Sequence, residues 1–392
     1  MFDSISIGTT GLLNHAKGLR VVGNNLANVN TSGFKSSQLQ FASLFEQGNG
    51  SGQLSSGGNG SGTGSGLTSI GTQVSFRAGL DQTTGNPLDL KINGNGFFAV
   101  KRDDQLLYTR AGDFRFDDKG FLVNAAGDRV QAMANGQLSD ITLDNLNRSA
   151  PKATSSVVFS GNVSNTVLTP PVSTGISGVT VLDANGMNHP LKLSLANAGG
   201  GAFTVTITDE ANATVGTGTI KYAAGAPLAG ADAITFSYAP AGAAAVEIKL
   251  DFSKTESTAG TSSMAMASQD GYAAGVKTDQ TIEADGTLKI QYSNGQTAKG
   301  PRLVLADFRS DDAFEEAGGS AFRKSATAEV QYGHAGSESF GKLVAGHREG
   351  SNVDLAEEFG NLILMQRGYQ AASHVVSTAN DMIQQLFDMK GR

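Results

Sequence analysis

The C-terminal stretch SNVDLAEEFGNLILMQRGYQAASHVVSTANDMIQQLFDM (351–389) carries the clearest structural signal in the sequence. Apolar or small residues recur along it at the three- and four-residue spacing of a coiled-coil seam, and no proline interrupts it. Ser351, with Asp354 three residues later, has the pattern of a capping box at a helix start. We predict a helix of about ten turns that ends near Met389. The seam positions are Leu355, Leu362, Tyr369, Val376 and Ile383, with Met365, Ala372, Ala379 and Leu386.

A weaker version of this pattern opens the chain. Apolar residues recur every seven positions, and mostly small residues fill the companion positions, which lets a partner helix approach closely. Glycines in the same stretch each weaken a helix by up to about 1 kcal/mol. The pattern predicts an N-terminal helix. Its repeating apolar positions are Ile5, Leu12, Leu19 and Leu26.

Two terminal helices of this kind favour pairing with each other. A pair of helices buries too little apolar surface to be stable alone, so we also expect them to pack against copies of the same chain. The residues predicted to form this helical subunit interface are Ile5, Leu12, Leu19, Leu26, Leu355, Leu362, Tyr369, Val376, Ile383 and Leu386.

Between the two helices the sequence is typical of β-structure. Several stretches place a glycine-containing turn beside alternating apolar residues, which predicts hairpins. The clearest are FDDKGFLV (116–123), LDANGMNHPLKLSL (182–195), IEADGTLKI (282–290) and QYSNGQTAKG (291–300). INGNGFF (92–98) is interpreted as a turn between strands rather than a nucleotide-binding loop.

Shifts in composition along the chain predict an α+β protein with several domains. We predict a discontinuous, coiled-coil-like terminal helix pair (1–30 and 351–392) and two mainly-β domains, the outer one inserted into the inner one. The inner domain is 71–150 with 276–350, and the outer domain is 151–275. Residues 31–70 form a polar connecting segment whose Gly/Ser-rich part, 48–66, resembles a flexible linker. We expect covalent flexibility at 36–70 and near 346–350.

Composition also removes several classes of function. The net charge of −7, without a basic tract, gives nucleic-acid binding little support. The absence of cysteine excludes disulfides and thiolate metal sites. No apolar run reaches the roughly 18–20 residues of a membrane span, and the N-terminus lacks the features of a cleaved signal peptide. We therefore predict no membrane insertion, and location in the cytoplasm or export without cleavage.

The sequence offers no catalytic arrangement. The five histidines are scattered, and neither a GxSxG elbow nor a GxxxxGK[ST] phosphate loop occurs. DFRFDDKG (113–120) lacks the ligand spacing of a calcium loop and reads better as a hairpin turn. The acidic pairs 103–104 and 311–312 are typical of exposed turns. We predict that the protein is not an enzyme and has no catalytic residues, metal ligands or cofactor.

A polar block, NNLANVNTSGFK (24–35), follows the first helix. Asn, Thr, Ser and Gly compete with the helix ladder for backbone hydrogen bonds, and Gly33 can adopt a positive φ. We predict that the block ends the helix and contacts neighbouring subunits; the alternative is a plain helix end with solvated asparagines. The junction residues are Asn24, Asn25, Leu26, Ala27, Asn28, Thr31, Gly33, Phe34 and Lys35.

These stretches resemble one known family in four places. NNLANVNTSGFK resembles the N-terminal signature of the bacterial flagellar axial proteins, the rod and hook family. Residues 349–386, with SNVD and a QRxY element at 366–369, resemble that family's C-terminal helix. LDLKINGNGFFAV (88–100) and YTRAGDFRFDDKGFLVNAAGDRVQA (108–132) are similar to its first β region. The motifs cover about half of the chain and occur in the family's order.

The resemblance implies a structural protein that polymerises with itself. The expected product is a helical tube outside the cell, a flexible universal joint that transmits torque from rod to filament. Implied partners are the distal rod and hook–filament junction proteins, the hook cap and the flagellar type III export apparatus, which exports subunits without a cleaved signal peptide. FASLF (41–45) is similar to a pattern that such subunits show the export gate. Phe41 and Phe45 are therefore possible export residues, or equally packing anchors.

Chain length and the insertion at 151–275 are similar to the hook branch of the family, since rod proteins are shorter. VVFSGNVSN (157–165) resembles the entry into the hook's outer domain. An unusually long distal rod subunit stays as an alternative. A second alternative is a surface-binding, adhesin-like β protein. An exposed aromatic cluster would support that alternative. Most aromatic residues of the insertion fit strand cores, however: Phe159, Phe203, Tyr222, Phe236, Tyr238 and Phe252.

Overall fold

The computed structural model describes residues 2–44, 66–134, 136–167, 172–308, 314–326, 328–337 and 339–390. Two helices, α1 (Phe2–Ala27) and α2 (Leu355–Lys390), stand at the ends of a chain that is otherwise mainly β-structure. The predicted fold class, helical ends around β domains, is confirmed. The predicted linker at 48–66 lies outside the described residues except for its last residue. Neither helix is long and apolar enough to cross a membrane.

The chain forms two compact units. The first comprises Met1–Leu143, Gln280–Lys289 and Lys299–Arg392, and the second comprises Asp144–Asp279 and Ile290–Ala298. The finer division into a helical core, an inner domain and an outer domain stays a prediction.

The strands up to residue 150 are short. They are β1 (Ser37–Leu44), β2 (Gly66–Val74), β3 (Asp81–Thr83), β4 (Leu90–Asn93), β5 (Phe97–Arg102), β6 (Gln105–Thr109), β7 (Arg115–Phe116), β8 (Leu122–Val123), β9 (Arg129–Ala134), β10 (Gln137–Asp140) and β11 (Arg148–Ser149).

The next group of strands is longer and belongs to the second unit. It contains β12 (Ser156–Ser164), β13 (Ser173–Leu182), β14 (Asn188–Gly199), β15 (Ala202–Thr208), β16 (Thr214–Ala223), β17 (Ala226–Pro227), β18 (Ala233–Tyr238), β19 (Val246–Thr258) and β20 (Ala265–Gln269).

The chain then returns through short strands towards α2. These are β21 (Gly275–Ile282), β22 (Thr287–Tyr292), β23 (Thr297–Arg302), β24 (Leu305–Phe308), β25 (Phe314–Gly318), β26 (Ala321–Lys324), β27 (Val330–Gly333), β28 (Lys342–Ala345) and β29 (His347–Glu349). Together with β11, strands β21, β22 and β23 form a sheet in the order β11-β21-β22-β23.

The largest sheet of the first unit has the order β25-β26-β6-β5-β9-β8-β7, with β10 beside β9 and β24 between β5 and β27. Its pairs are antiparallel, and the predicted hairpin at 116–123 is confirmed by the pairing of β7 with β8. Aromatic rings fill one core of this unit, where Phe97 packs against Phe76 and Phe322. Small pairs β4–β28 and β3–β29 bring residues 342–349 back beside 81–93.

The second unit is a β-sandwich. One sheet has the order β18-β19-β12-β20, with β12 and β19 parallel, and the other has the order β13-β14-β15-β16-β17. Alternate residues of both sheets share one apolar core, as in aligned sandwiches. All six aromatic residues assigned to strand cores are buried there, and the rings of Phe159 and Phe252 stack with centroids 4.8 Å apart.

Two stretches that were expected to be flexible pair as strands where the structure describes them, and residues 45–65 of the first stretch lie outside the described residues. Of the segment 36–70, the described residues include β1, which pairs antiparallel with β2 from Ser37–Val74 to Leu44–Gly66. Near 346–350, β29 pairs with β3, and Glu349 is fully buried. Both stretches look polar and flexible in sequence, but each satisfies its backbone groups against a strand distant in the chain.

The predicted helix start at Ser351 is wrong. Asp354 Oδ1 accepts hydrogen bonds from the backbone N–H groups of Ala356 (2.8 Å) and Glu357 (3.2 Å), so Asp354 is the N-cap. Ser351 Oγ accepts instead from the N–H of Val353 (3.3 Å), ahead of the helix. A carboxylate satisfies the free N–H groups and also meets the positive end of the helix dipole.

Candidate functional site at the helix pair and the polar junction

The two terminal helices pack against each other along a face rich in glycine. A Cβ at Gly8 would lie 2.6 Å from Val376 Cγ2, and one at Gly18 would lie 2.6 Å from Met365 Sδ. The ring of His15 occupies the space above Gly368, where a Cβ would meet it at 2.4 Å. The glycines that weaken α1 as an isolated helix therefore permit its close approach to α2.

Gly8 and Gly18, which make these close contacts, are not among the seam positions that the sequence suggested for α1. Ile5, Leu12, Leu19 and Leu26 are half-buried, while Gly8 and Gly18 are buried. Periodicity alone favoured the larger apolar residues, whereas the tight packing uses the neighbouring small ones. The role of the four apolar residues in contacts between subunits stays a prediction.

The outer surface of α2 is unusually apolar. Of the predicted interface residues, Leu355, Tyr369 and Leu386 are exposed, and Leu362, Val376 and Ile383 are half-buried. Seven further large apolar residues of α2 are exposed as well: Phe359, Ile363, Leu364, Val375, Met382, Phe387 and Met389. Large exposed apolar patches on protein surfaces often mark interaction sites.

Asn25, at the end of α1, binds two other parts of the chain. Its side chain is 1% exposed; Nδ2 donates to the Ser37 carbonyl (2.8 Å) and to Glu358 Oε1 (2.7 Å). Its Oδ1 accepts from the Ser37 N–H at 3.0 Å. Asn25 thus joins α1 to β1 and α2, and its contacts lie within one subunit.

Asn24 and Asn28 act locally. The Asn28 N–H and Nδ2 both donate to the Asn24 carbonyl, at 3.2 and 2.9 Å, and Thr31 Oγ1 donates to Asn28 Oδ1 at 3.0 Å. These bonds satisfy carbonyl groups that the end of α1 leaves free. Leu26 and Phe34 are half-buried and Ala27 is exposed.

Gly33 has φ +66°, which confirms the predicted left-handed conformation. Its N–H donates to the Glu349 carbonyl (2.8 Å), and a Cβ there would lie 2.3 Å from the Ala111 nitrogen. Glycine is required at this position by the backbone conformation and by the close approach of the backbone at Ala111 of the same chain.

A fully buried ion pair lies next to this turn. Lys35 Nζ lies 2.6 Å from Glu349 Oε1, and both side chains are 0% exposed. Lys35 also donates to the Arg77 carbonyl (2.7 Å), and Glu349 Oε1 accepts from the Gly79 N–H (2.8 Å). Arg110 Nη1 lies 3.5 Å from Glu349 Oε2. Glu349 Oε1 therefore accepts from two donors, whereas Oε2 has no hydrogen-bond partner among the described residues and lies near the Arg110 cation.

These contacts determine the ionisation of Glu349. Burial raises its pKa, but the charge and hydrogen bond of Lys35, the Gly79 N–H and Arg110 together hold the pKa below its ordinary value. Burial lowers the pKa of Lys35 more than the charge and hydrogen bond of Glu349 raise it.

Asn352 completes the junction. Its Oδ1 accepts from the Ser36 N–H (2.7 Å), and its Nδ2 donates to the Ser75 carbonyl (2.7 Å). We call Asn25, Lys35, Glu349, Asn352 and Glu358 the junction cluster. Sequence reasoning missed its three C-terminal members, although Glu349 and Asn352 lie within or beside the quoted SNVD motif.

The possible export residues are only partly described. Phe41 lies half-buried in β1, opposite Ser69, with its ring centroid 6.1 Å from that of His15. Phe45 lies outside the described residues. In the folded chain Phe41 therefore has a packing role, and its part in export stays a prediction.

The polar groups of the described regions show no arrangement for catalysis or metal binding. No group of three or more His, Asp or Glu residues in these regions is placed to hold a metal ion. His189 and His347 each bind a single carboxylate, of Asp183 and Asp81. The 103–104 acidic pair forms a turn with φ 44° and 66°, as expected, and the pair at 311–312 lies outside the described residues.

Three family models match the chain in succession. They are "Flagella basal body rod protein" (5–35), "Flagellar hook protein FlgE/F/G D1 domain" (91–165) and "Flagellar basal body rod FlgEFG protein C-terminal" (344–389). The first and last cover α1 and α2 with the junction cluster. These models describe rod and hook axial proteins of the bacterial flagellum, a structural family, and the chain is similar to that family at both ends and in its first β region.

Within that family its full-length relatives are hook proteins. The flagellar hook protein FlgE of Borreliella burgdorferi is 29% identical over 441 residues, which cover 100% of both chains. FlgE of Salmonella typhimurium is 29% identical over 418 residues, which cover 99% of this chain and 100% of that protein. The solved structure of Helicobacter pylori flagellar hook protein FlgE2 matches 67% of this chain and 98% of its own, with 12% identity and a TM-score of 0.45.

Proposed function

We propose that this chain is the structural subunit of a flagellar hook, and that it assembles with copies of itself into a helical tube. The observation that carries the proposal is the apolar outer surface of α2, in a chain whose full-length relatives are hook proteins. Such a surface is unfavourable in water and becomes buried when subunits pack together. The predicted interface residues of α1 and α2 would lie in these contacts.

The helical core would form from 1–30 and 351–392, the inner domain from 71–150 and 276–350, and the outer domain from 151–275. The compact sandwich formed mainly by Asp144–Asp279 supports the last division. Because β1 and residues 347–349 are held by strand pairing and buried bonds, we infer that bending occurs by sliding between subunits rather than by flexing at these two stretches.

The subunit would act as a flexible joint between rod and filament, outside the cell. Its partners would be the distal rod and hook–filament junction proteins and the hook cap. Export would use the flagellar type III apparatus without a cleaved signal peptide, and the FASLF segment would be read before β1 folds onto α1. Full-length similarity to hook proteins disfavours the distal rod alternative. Burial of the six aromatic residues in the sandwich removes the main support for an adhesin.

Immuno-electron microscopy with antibodies against residues 151–275 tests the proposal on intact flagella and on extracted basal bodies. We expect label on a short curved segment between rod and filament. Label on the straight shaft inside the envelope would assign the chain to the rod, and diffuse surface label would contradict both assignments.

Assembly of the purified chain tests the role of α2. We expect tubes in the wild type, and we expect Leu364→Ser with Met382→Ser to abolish them, because both side chains are exposed and apolar. The matched control is Leu80→Ser with Ile70→Ser, two exposed apolar residues away from α2. Equal loss of tubes in both variants would argue against a specific role for the α2 surface.

A further inference from the structure

A cavity of about 190 Å³ lies between α1, β1 and the first turns of α2. Its walls include Val22, Leu39 and Met365, and Glu358 lines it. Glu358 is 5% exposed; Oε1 accepts from Asn25, but Oε2 has no hydrogen-bond partner among the described residues. A residue of the cavity wall therefore carries a buried carboxylate oxygen that lacks a donor.

Gln38 and Asn361 carry amide groups in the lining of the cavity, but neither donates to Glu358 Oε2, and the lining includes no cation. Its only other charged residue is Glu357, which is exposed and also acidic. A buried, unpaired carboxylate is unfavourable, so a cation with N–H donors is the best complement. The volume exceeds several times the roughly 30 Å³ share of one water molecule, which leaves room for a long side chain.

A basic groove of about 390 Å³ adjoins this cavity. It is lined by Lys17 and Arg20, and it shares Val21 and Leu39 with the acidic cavity. Lys17 Nζ donates to Ser69 Oγ at 3.1 Å. Glu316, which also lines the groove, accepts from Ser37 Oγ.

Arg20 is the unused cation of this groove. It is exposed and makes no hydrogen bond or ion pair with any described residue. Its planar guanidinium carries five donors and is weakly hydrated, so it suits a buried carboxylate better than an ammonium group does.

We propose that Arg20 of one copy of the chain enters the cavity of a second copy and donates to Glu358 Oε2. The inference rests on the proposed self-assembly and specifies one of its contacts. In the proposed tube the contact is head-to-tail, because Arg20 of each copy binds the cavity of the next copy. Repetition of a head-to-tail contact that does not close on itself produces a helical array.

The absence of cysteine permits a direct test by crosslinking between chains. Lys17→Cys, which lies beside Arg20 in the basic groove, and Glu357→Cys are made in separate full-length proteins, mixed, assembled and oxidised, so that Arg20 is unchanged. Glu357 lines the cavity, so Glu358 itself is unchanged. We expect a species of twice the subunit mass in the mixture and little from either protein alone. The matched control mixes Glu357→Cys with Lys119→Cys, an exposed turn residue.

A second measurement uses the concentration needed for assembly. Arg20→Gln should raise it by about 30-fold or more, because the loss leaves Glu358 buried and unpaired in the contact. Arg20→Lys should restore part of the loss, and Arg323→Gln, which removes an exposed cation, should have little effect. The double variant Arg20→Gln with Glu358→Gln should raise the concentration needed for assembly by less than the product of the two single-variant fold-changes.

The outcomes separate this inference from the proposed function. Two results together would overturn the inference. The first is that the Arg20→Gln protein forms tubes at the wild-type concentration, and the second is that the cysteine pair across the proposed contact crosslinks no better than the Lys119→Cys control. The cavity would then hold solvent only. A wild-type chain that forms no tubes would refute the self-assembly proposal and this contact with it.

Discussion

The buried pair Lys35–Glu349 gives the sharpest prediction about the stability of the junction. Replacing Lys35 by Met leaves the Glu349 carboxylate buried with only the Gly79 N–H and, at 3.5 Å, Arg110. Removal of one partner from a buried pair costs about 3–5 kcal/mol. A cost of about 3 kcal/mol raises the local opening equilibrium more than 100-fold.

Hydrogen exchange with mass spectrometry measures this opening in peptides covering 30–40 and 345–355. Both segments contain members of the junction cluster, so both should exchange faster in Lys35→Met. The matched control is Arg323→Met, which breaks a 2.6 Å ion pair with Glu315. The side chains of Arg323 and Glu315 are 47% and 54% exposed. Exposed pairs of this kind typically contribute less than about 1 kcal/mol.

The pH dependence of the same difference follows from the pKa of Glu349. Its folded-state pKa lies below the ordinary value, so its stabilising contribution is complete above about pH 4–5 and is lost as the pH falls through the folded-state pKa. The difference between wild type and Lys35→Met should therefore be largest near neutral pH and shrink in acid.

The double variant Lys35→Met with Glu349→Gln should recover much of the loss, because the amide oxygen can still accept from the Gly79 N–H without a buried charge. The reasoning is refuted if Lys35→Met accelerates exchange no more than Arg323→Met, or if the double variant opens more readily than the single one.

Three further changes test other parts of the junction. Gly33→Ala should destabilise the fold by well over 1 kcal/mol in urea unfolding, since its φ is +66° and the added Cβ meets the neighbouring backbone; Gly127→Ala, with φ +87° in open space, should cost less. Asn25→Ala should cost about 2–3 kcal/mol because it leaves buried groups unpaired, whereas Asn28→Ala should cost less than about 1 kcal/mol, and equal effects would contradict the structural distinction. Asp354→Ala should lower the stability of α2 by about 1 kcal/mol, and unchanged thermal melting by circular dichroism at 222 nm would count against its role as N-cap.

Local signals in the sequence were sufficient for the secondary structure of the ends and of several hairpins. The heptad spacing of 351–389 and the lack of proline predict α2, because helix formation depends on residues three or four apart. The turn at 183–187 and the positive φ of Gly33 follow from turn chemistry, which involves only a few successive residues. The family signatures lie in the same local stretches, so the hook assignment was also available from the sequence.

The tertiary structure alone decided which of these local features meet. Lys35 and Glu349 are 314 positions apart, and Asn25 and Glu358 are 333 apart, so no periodicity links them. The sequence favoured Ile5 and Leu12 as the seam of α1 and did not indicate the close contacts of Gly8 and Gly18 with α2, because the separation of two helices depends on both surfaces. Residues 346–350 looked flexible by composition and became a buried junction, because strand pairing and ion pairing are satisfied only by segments that the fold brings from elsewhere in the chain.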